Sequence, residues 1–239
     1  MKKAIVLFSG GLDSTACLYW ALQKYDEILL LSFLYGSKED QTITRISRTF
    51  SSLLSIENKI LHLSFLEEFS QQAGSSLSQV GKNLPIIESF EQLDEKELTS
   101  LTAKNVWVPG RNILFLSIAA SLADSSKVPT DIIFGANKEE GTTFPDNTLD
   151  FVNRMNKAIE LGCLNQIKIQ APFHDSSKKE IAIFLKKNDA EISFSASCYQ
   201  VKDWTEEGKP MHCGTCESCQ RRRRAFIQAG IDDPTVYKN

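Results

Sequence analysis

Apolar and polar positions alternate along most of the chain in two recurring patterns. Short apolar runs predict β-strands at residues 4–8, 28–33, 59–63, 131–135 and 167–171. The first run is wholly apolar, which is typical of a strand covered on both faces of its sheet. Apolar residues at helical spacing predict helices at residues 12–24, 39–54, 113–124 and 149–161. The alternation predicts an α/β fold with a doubly wound, mainly parallel sheet.

Polar and glycine-containing stretches mark the ends of these elements. Residues 70–83 are rich in Ser, Gln and Gly, which predicts a surface loop or mobile lid, and the charged segment near 91–100 predicts a short helix. Gly162 is expected to end the helix before it. Ser177 and Glu180 have the spacing of a capping box, which predicts a helix running to about Asn188. Periodicity is lost from about residue 192, so we expect an α/β unit at 1–191 and a small appended unit at 192–239.

A glycine loop, residues 9–14 (Ser-Gly-Gly-Leu-Asp-Ser), separates the first predicted strand from the first helix. Backbone N–H groups beside two glycines, with a helix N-terminus behind them, form a binding site for a polyanion. The loop lacks the Gly-Lys-Ser/Thr ending of a P-loop and the G-x-G-x-x-G of a dinucleotide fold. Asp13 is expected to hold Mg²⁺ between phosphates or to brace the loop. The alternative is a plain glycine turn that caps a helix.

Four of the six cysteines lie close together in the sequence, at Cys198, Cys213, Cys216 and Cys219. Pairs separated by two residues can reach one ion, and Zn²⁺ in structural sites takes a closed tetrahedron of thiolates. The pattern therefore predicts structural zinc in the appended unit. An iron–sulfur cluster and His212 as a replacement ligand are the alternatives. Cys17 and Cys163 are predicted to be core residues of helices.

Composition narrows the possible functions. The chain has 239 residues and a net charge of −3, which argues against a protein whose main task is to neutralise nucleic-acid phosphate. No apolar run approaches the roughly 20 residues that span a bilayer, and no cleavage site follows residues 4–8. We therefore expect a cytoplasmic protein that does not enter a membrane. The arginines at 221–224 are expected to be mostly solvated, with one or two near phosphate.

Several motifs together give the chain a family resemblance. The Ser-Gly-Gly-x-Asp-Ser loop resembles the PP-loop of ATP pyrophosphatases, which cut ATP between its α- and β-phosphates. Val-Pro-Gly-Arg-Asn at 108–112, Gly-Ala-Asn at 135–137 and Phe-Pro-Asp at 144–146 resemble motifs of the QueC family within that superfamily. Phe151 and Asn156, the cysteine order and the following Arg-Ala-Phe at 224–226 extend the resemblance to nearly the whole chain.

The resemblance implies an ATP-dependent C–N ligase. It would adenylate 7-carboxy-7-deazaguanine, amidate it with ammonia and dehydrate the amide to the nitrile 7-cyano-7-deazaguanine (preQ0). Its implied cofactors are structural Zn²⁺ and ATP with Mg²⁺, and a homodimer is expected. Asp13 and Arg111 are the implied catalytic residues. ATP would be bound by Phe8, Ser9, Gly10, Gly11, Leu12, Asp13, Ser14 and Thr15; the deazaguanine by Arg111, Asn112, Asn137, Phe144 and Asp146; and zinc by the four cysteines.

Two departures from the family pattern leave the acceptor open. The family usually has Asp-Tyr-Gly-Gln, a basic residue and often His after the second strand, where this chain has Leu-Tyr-Gly-Ser-Lys-Glu-Asp at 34–40. The stretch between Cys198 and Cys213 is also longer than usual. One alternative passes the activated carboxylate to another amine, such as a protein N-terminus in an antiviral system, or stops at the amide. A zinc-knuckle protein that binds and modifies tRNA is an alternative of another class. Residues 111–112 and 144–146 are also compatible with a plain helix start and a plain turn.

Overall fold

The central sheet is entirely parallel in the computed structural model, which describes residues 2–78, 82–84, 86–87 and 89–238. Its strands, in chain order, are β1 Lys3–Leu7, β2 Glu27–Leu34, β3 Glu57–His62, β4 Thr130–Ile133 and β5 Ile169–Gln170. The spatial order is β3-β2-β1-β4-β5. The order therefore reverses at β1, and ligands bind such sheets beyond the carboxyl ends of the strands at this point.

Both faces of the sheet are covered by helices, because alternate strand residues point to opposite sides. Ile5 and Leu7 of β1 belong to one buried apolar cluster, and Ala4 and Val6 belong to the other. The helices are α1 Leu12–Leu22, α2 Asp40–Leu54, α3 Ser64–Gln72, α4 Lys96–Val106, α5 Arg111–Asp124, α6 Lys138–Gly141, α7 Leu149–Gly162, α8 Lys178–Lys187 and α9 Glu217–Ala229. Three 3₁₀ turns lie at Glu91–Asp94, Pro145–Asn147 and Ile192–Phe194.

A second, small sheet follows the 3₁₀ turn at Ile192–Phe194. It consists of β6 Asp203–Trp204, β7 Pro210–His212 and β8 Val236–Tyr237, in the order β6-β7-β8. Phe226 of α9 is buried in the same cluster as β1 and α1. The segment that carries the cysteines is thus packed against the α/β core, and the division at residues 191 and 192 stays a prediction.

The structure confirms the predicted fold class, with some corrections to its elements. Each predicted strand is present with ends shifted by one or two residues, and β5 is the shortest of the five. Its exposed edge is covered by Asn156, which accepts from the Ile169 N–H at 2.8 Å and donates to the Ile169 carbonyl at 3.0 Å. The capping box of Ser177 and Glu180 is present. The expectation that Gly162 lies beyond its helix is wrong: Gly162 is the last residue of α7, because extended backbone at Cys163 ends the helix.

The expectation of a surface loop at 70–83 is wrong at Ser70 and at 75–78, although residues 71–73 are exposed. Ser70 lies in α3, and Ser75, Ser76, Leu77 and Ser78 are buried. The Ser76 N–H donates to the Asn105 carbonyl at 2.7 Å, and the Ser70 and Ser78 hydroxyls are 2.7 Å apart. Residues 79–81 of the expected loop lie outside the described residues. Likewise, the predicted short helix at 91–100 is a 3₁₀ turn followed by the longer α4.

Within the described parts of the chain, no single helix has the length and apolar composition to cross a membrane. Glu97–Val106 and Arg111–Asp124 have sufficient length and apolar composition only when they are taken together, and a bend of 50° separates them. Leu116, Ala119, Ala120 and Ala123 of α5 are buried, and this helix packs on β1 and β4.

Candidate functional site

The glycine loop joins β1 to α1 at the carboxyl edge of the sheet. Gly10 has a φ of +79°, and a Cβ there would lie 2.6 Å from Cγ2 of Ile46. Only glycine fits both conditions. Gly11 caps α1, and the Gly10 carbonyl accepts from the Ala196 N–H at 2.8 Å. The loop is therefore held by α2 on one side and by the chain after α8 on the other, with the N-terminus of α1 directly behind it.

Hydroxyl groups surround this loop. The Ser9 and Ser14 Oγ atoms are 3.3 Å apart, and Ser14 Oγ donates to the Gly11 carbonyl at 3.2 Å. Thr15 is fully buried, and within the described residues its Oγ1 has no hydrogen-bond partner. Helix N-termini attract anions, and the hydroxyls add donors. The loop can therefore bind phosphate groups.

A lysine from helix α8 contacts this loop. Lys178, at the first position of α8, places Nζ 2.7 Å from Asp13 Oδ2 and 2.7 Å from Glu140 Oε1. Burial alone would lower the pKa of Lys178, but the two carboxylates outweigh it and raise the pKa. The ammonium group is consequently charged and fixed beside the glycine loop. Two carboxylates share its one positive charge, so this corner also attracts a further cation.

The second wall of the cavity carries one arginine among acidic and phenolic groups. Arg111, the first residue of α5, donates from Nη1 to the Tyr35 hydroxyl at 3.4 Å. Glu39 and Asp146 are also near enough to stabilise its charge. Burial raises the pKa of Glu39 to about 7, while Arg111 opposes the shift and Asp40 adds to it. Burial likewise raises the pKa of Asp146 against the effect of Arg111.

Two nearly parallel aromatic rings form part of this wall. Trp107 and Phe144 have ring centroids 6.2 Å apart and planes within 8° of parallel, and both line the cavity. Asn112 also lines the cavity; it is buried and donates from Nδ2 to the Asp146 carbonyl at 3.4 Å. Flat apolar faces next to amide and carboxylate groups suit a heteroaromatic ring with a polar edge.

The third wall comes from the N-terminal part of α9. Arg221 donates from Nε and Nη2 to Glu217 Oε1 at 2.8 and 2.7 Å, and both residues line the cavity. The expectation that the arginines at 221–224 are mostly solvated is wrong, since none of the four is exposed. Arg222 is fully buried and donates to the hydroxyls of Ser195 and Thr235. The reason is that α9 packs against α8 and the 3₁₀ turn at 91–94 rather than lying on the surface.

The four clustered cysteines can hold a metal ion. Their Sγ atoms all lie within 4.8 Å of one another, and Sγ of Cys213 and Cys219 are 3.9 Å apart. Four thiolates at about 2.3 Å from a tetrahedral ion lie about 3.8 Å apart, so this donor set fits. The N–H groups of Cys213 and Gln200 each lie 3.4 Å from Cys198 Sγ, and the Cys216 N–H lies 3.4 Å from Cys213 Sγ. Such contacts stabilise thiolate charge. His212 is not part of this group.

Most of the predicted site residues meet in this one cavity. Those lining it are Phe8, Ser9, Gly11, Leu12, Asp13, Ser14, Arg111, Asn112, Phe144 and Asp146. Gly10, within the loop, and Thr15, the residue after it, do not line the cavity. Asn137 is also outside the lining: it is fully buried, and its side chain accepts from the Glu140 N–H as the N-cap of α6. Cys17 is buried in α1 as predicted, whereas Cys163 lies just after α7 and is only partly buried.

Comparison with known proteins shows the family of this chain. The family model described as "Queuosine biosynthesis protein QueC" matches residues 3–230. The chain belongs to the QueC family. A relative named 7-cyano-7-deazaguanine synthase from Pyrococcus horikoshii is 49% identical over 237 residues, covering 99% of this chain and 98% of the relative. A protein of the same name from Methanocaldococcus jannaschii is 39% identical over 241 residues, covering 98% of this chain and 99% of the relative.

Solved structures with a similar chain path are more distant. A U34-tRNA thiolase from Methanococcus maripaludis superimposes with a TM-score of 0.46 at 15% identity. The match covers 96% of this QueC-family chain and 66% of the thiolase chain.

Several residues of this QueC-family site were not predicted from the sequence. They are Tyr35, Glu39, Trp107, Glu139, Glu140, Lys178, Tyr199 and Glu217. One feature of the sequence pointed to Lys178. A cation in the first turn of a helix interacts unfavourably with the helix dipole, so a lysine there indicates an acidic partner elsewhere in the fold. Glu39 and Tyr35 follow the end of β2, and residues at the carboxyl ends of parallel strands are candidates for the site. Trp107 directly precedes the Val-Pro-Gly-Arg-Asn motif.

Proposed function

We propose that this chain is a 7-cyano-7-deazaguanine synthase. It adenylates the carboxylate of 7-carboxy-7-deazaguanine with ATP, lets ammonia displace AMP, and uses a second ATP to dehydrate the amide to the nitrile. One observation carries this proposal. A single cavity is lined by the PP-loop, by Arg111 and by the nearly parallel rings of Trp107 and Phe144. Relatives that match nearly its whole length carry the name of this activity.

ATP occupies the side of the cavity formed by the glycine loop in this proposal. The β- and γ-phosphates lie against the N-terminus of α1, where Gly11, Ser9 and Ser14 supply donors. Lys178 neutralises the phosphates although the loop itself contains no lysine. Asp13 and Glu140 would hold Mg²⁺ when it enters with ATP, since hard cations prefer carboxylate oxygens. The chain thus positions the triphosphate so that the α–β bond breaks and pyrophosphate departs.

The deazaguanine occupies the other side. Its ring enters between Trp107 and Phe144, whose planes are nearly parallel. The two side chains move apart to admit it, because a ring between them requires about 7 Å, twice a normal carbon–carbon contact. Arg111 pairs with the substrate carboxylate, which brings the attacking oxygen toward the α-phosphate. The Asp146 carboxylate accepts hydrogen bonds from the guanidine-like edge of the ring, and Asn112 lies in reach of the same edge.

Zinc is the metal proposed for the cysteine cluster. Its role is structural, because all four ligand positions are filled by sulfur and none is left for substrate. The cluster also joins two parts of the chain, since the Ile87 N–H donates to the Thr215 carbonyl at 3.0 Å beside it. Free thiols in such a cluster suit a reducing cytoplasm. A homodimer remains part of the proposal.

The acceptor is tested by the mass of the product. Purified protein is incubated with ATP, Mg²⁺, 7-carboxy-7-deazaguanine and ammonium, and the deazaguanine products are separated and weighed by mass spectrometry. The proposal predicts the nitrile. Accumulation of the amide, or adducts only with an added protein amine, would replace it with one of the alternative acceptors. The names of the relatives favour the nitrile over both.

A further inference from the structure

Glu39 is a carboxylate that lines the cavity. It lies at the N-cap of α2 and lines the cavity beside Tyr35 and Arg111. Within residues 2–78, 82–84, 86–87 and 89–238, its side chain makes no hydrogen bond and no ion pair. The other acids of the cavity differ in this respect: Asp13 and Glu140 pair with Lys178, and Glu217 pairs with Arg221.

The groups around Glu39 leave its carboxylate without an ion pair and able to change its protonation state. Arg111 on α5 faces it but bonds to the Tyr35 hydroxyl instead, and Asp40 on its own helix repels its charge. Tyr35 and Tyr199, the other titratable groups facing it, have pKa values raised by burial, so both hydroxyls are neutral. Burial raises the pKa of Glu39 to about 7, a value at which it can both accept and release a proton near neutral pH.

We propose that Glu39 is the proton acceptor for the ammonia that attacks the acyl-adenylate. This rests on the proposed function, in which Arg111 fixes the substrate carboxylate and therefore places its carbon on the Glu39 side of the cavity. The amination step needs such a group, because ammonium has no lone pair and is the prevailing form at neutral pH. Tyr35 and Tyr199 are unsuited to the task, since a neutral phenol of raised pKa is a poor base.

The step balances as follows. Ammonium gives one proton to the Glu39 carboxylate and becomes ammonia. The nitrogen lone pair forms the C–N bond, and the bond between the carbonyl carbon and the AMP oxygen breaks with its electron pair leaving on AMP. The new nitrogen then loses a second proton to the departing phosphate or to water, which gives the neutral amide.

The test separates adenylation from amination in Glu39→Gln. Adenylation is followed as pyrophosphate exchange into ATP that depends on 7-carboxy-7-deazaguanine. Amination is followed as amide formed from ammonium, and in parallel as hydroxamate formed from hydroxylamine, which is largely unprotonated at neutral pH. The expected result is unchanged exchange, amide formation reduced on the order of 10²-fold, and near-normal hydroxamate formation. The exposed Glu160 of α7 supplies a matched control, Glu160→Gln, which should behave as wild type.

Two results would overturn this assignment. One is full amide formation by Glu39→Gln. The other is an equal loss with ammonium and hydroxylamine, which would mean that Glu39 shapes the cavity instead of taking a proton. Glu39→His, which restores a base of ordinary pKa near 6.5, should recover amide formation, and its failure to do so in a protein that still adenylates would also count against the proposal. Absence of exchange in the wild-type protein would instead overturn the proposed function, and this inference with it.

Discussion

Nζ of Lys178 lies 2.7 Å from Oδ2 of Asp13, which ties the glycine loop after the first strand to the helix after the last strand of the sheet. The two residues are 165 positions apart in the sequence. The ion pair is largely buried, with the Lys178 side chain 9% exposed and that of Asp13 18% exposed. It thus fixes both the shape of the loop and the charge available to phosphate.

Replacing Lys178 should affect both stability and adenylation. Lys178→Met leaves Asp13 and Glu140 without their cation, and removing one partner of a buried pair costs about 3 kcal/mol or more. Loss of a positive charge beside the phosphates should lower the adenylation rate on the order of 10²-fold. Lys179→Met is the matched control, because Lys179 is exposed. Denaturant unfolding and pyrophosphate exchange measure the two effects, and wild-type exchange in Lys178→Met would exclude a role in holding phosphate.

Gly10 should be the least replaceable residue of the loop. An alanine there must adopt a φ of +79° and also displace Ile46, whose Cγ2 would lie 2.6 Å from the new Cβ. Gly230 separates the two costs, since its φ is +66° and nothing lies within 4 Å of a Cβ. Gly230→Ala should cost about 1 kcal/mol, and Gly10→Ala clearly more in the same urea titration. Equal costs for the two variants would mean that α2 does not fix the loop.

The glycine at position 11 offers a different outcome. A Cβ there meets only ordinary contacts, 3.5 Å from Ser9 Oγ and 3.7 Å from the Ala196 carbonyl, and its φ of −73° suits alanine. Gly11→Ala should therefore fold with near wild-type stability but bind ATP weakly, because the new methyl group occupies the space of a phosphate. Calorimetric titration with ATP measures this. Unchanged ATP affinity would place the phosphates elsewhere.

Much of the fold could be predicted from the sequence, because the residues that determine these features are close together in the chain. The apolar run at 4–8, most of which forms β1, is followed by Ser9 and two glycines, so the burial of the strand and the turn after it follow from residues 4–11 alone. The cysteine spacing likewise predicted the cluster at 198–219. The capping box at Ser177 was equally local.

The parts that escaped prediction depend on tertiary contacts. The strands β6 and β8 have two residues each, too short to leave a period, and exist because they pair with β7. Three of residues 75–78 are serines, yet all four residues are buried because backbone hydrogen bonds to Asn105 and Lys38 replace water. Lys178 resembled an ordinary helix residue, since its partners Asp13 and Glu140 lie far away in the sequence.

The aromatic pair should report on the deazaguanine. If the ring enters between Trp107 and Phe144, binding should quench the fluorescence of Trp107, and Trp107→Ala should weaken binding by roughly 5- to 150-fold, as expected for loss of about 1–3 kcal/mol of stacking. Trp204 is the control, because it lies outside the cavity and stacks on Arg45. Trp204→Phe should retain the quenching. Quenching that survives in Trp107→Phe would show that the ring binds elsewhere.

Zinc binding should require the clustered cysteines and should not require Cys163. Cys219→Ser should reduce bound zinc from one ion per chain to none and lower Tm by about 10 °C or more, since several kcal/mol are lost and each is worth about 2–4 °C in a chain of this size. Cys163→Ser, which alters a partly buried thiol outside the cluster, should keep its zinc. Elemental analysis and calorimetry give both values. Full zinc content in Cys219→Ser would contradict the four-sulfur site.

Stability should depend on pH through Glu39. Its pKa of about 7 in the folded chain exceeds the ordinary value of about 4.3, so between these values the folded state holds more protons than the unfolded state. Stability from this group is present at low pH and is lost as pH rises through 7. The difference in Tm between Glu39→Gln and wild type should therefore be more positive at pH 8 than at pH 5. A difference that does not change with pH would mean that Glu39 is charged and solvated throughout.

The most direct test of the whole account is the identity of the nucleotide product. Purified protein with ATP, Mg²⁺, ammonium and 7-carboxy-7-deazaguanine is analysed by phosphorus NMR. The account predicts AMP and pyrophosphate, formed only when the carboxylate is present, with two AMP for each nitrile made. ADP and orthophosphate would contradict it, because a loop that holds departing pyrophosphate has no part in cleavage of the γ-phosphate.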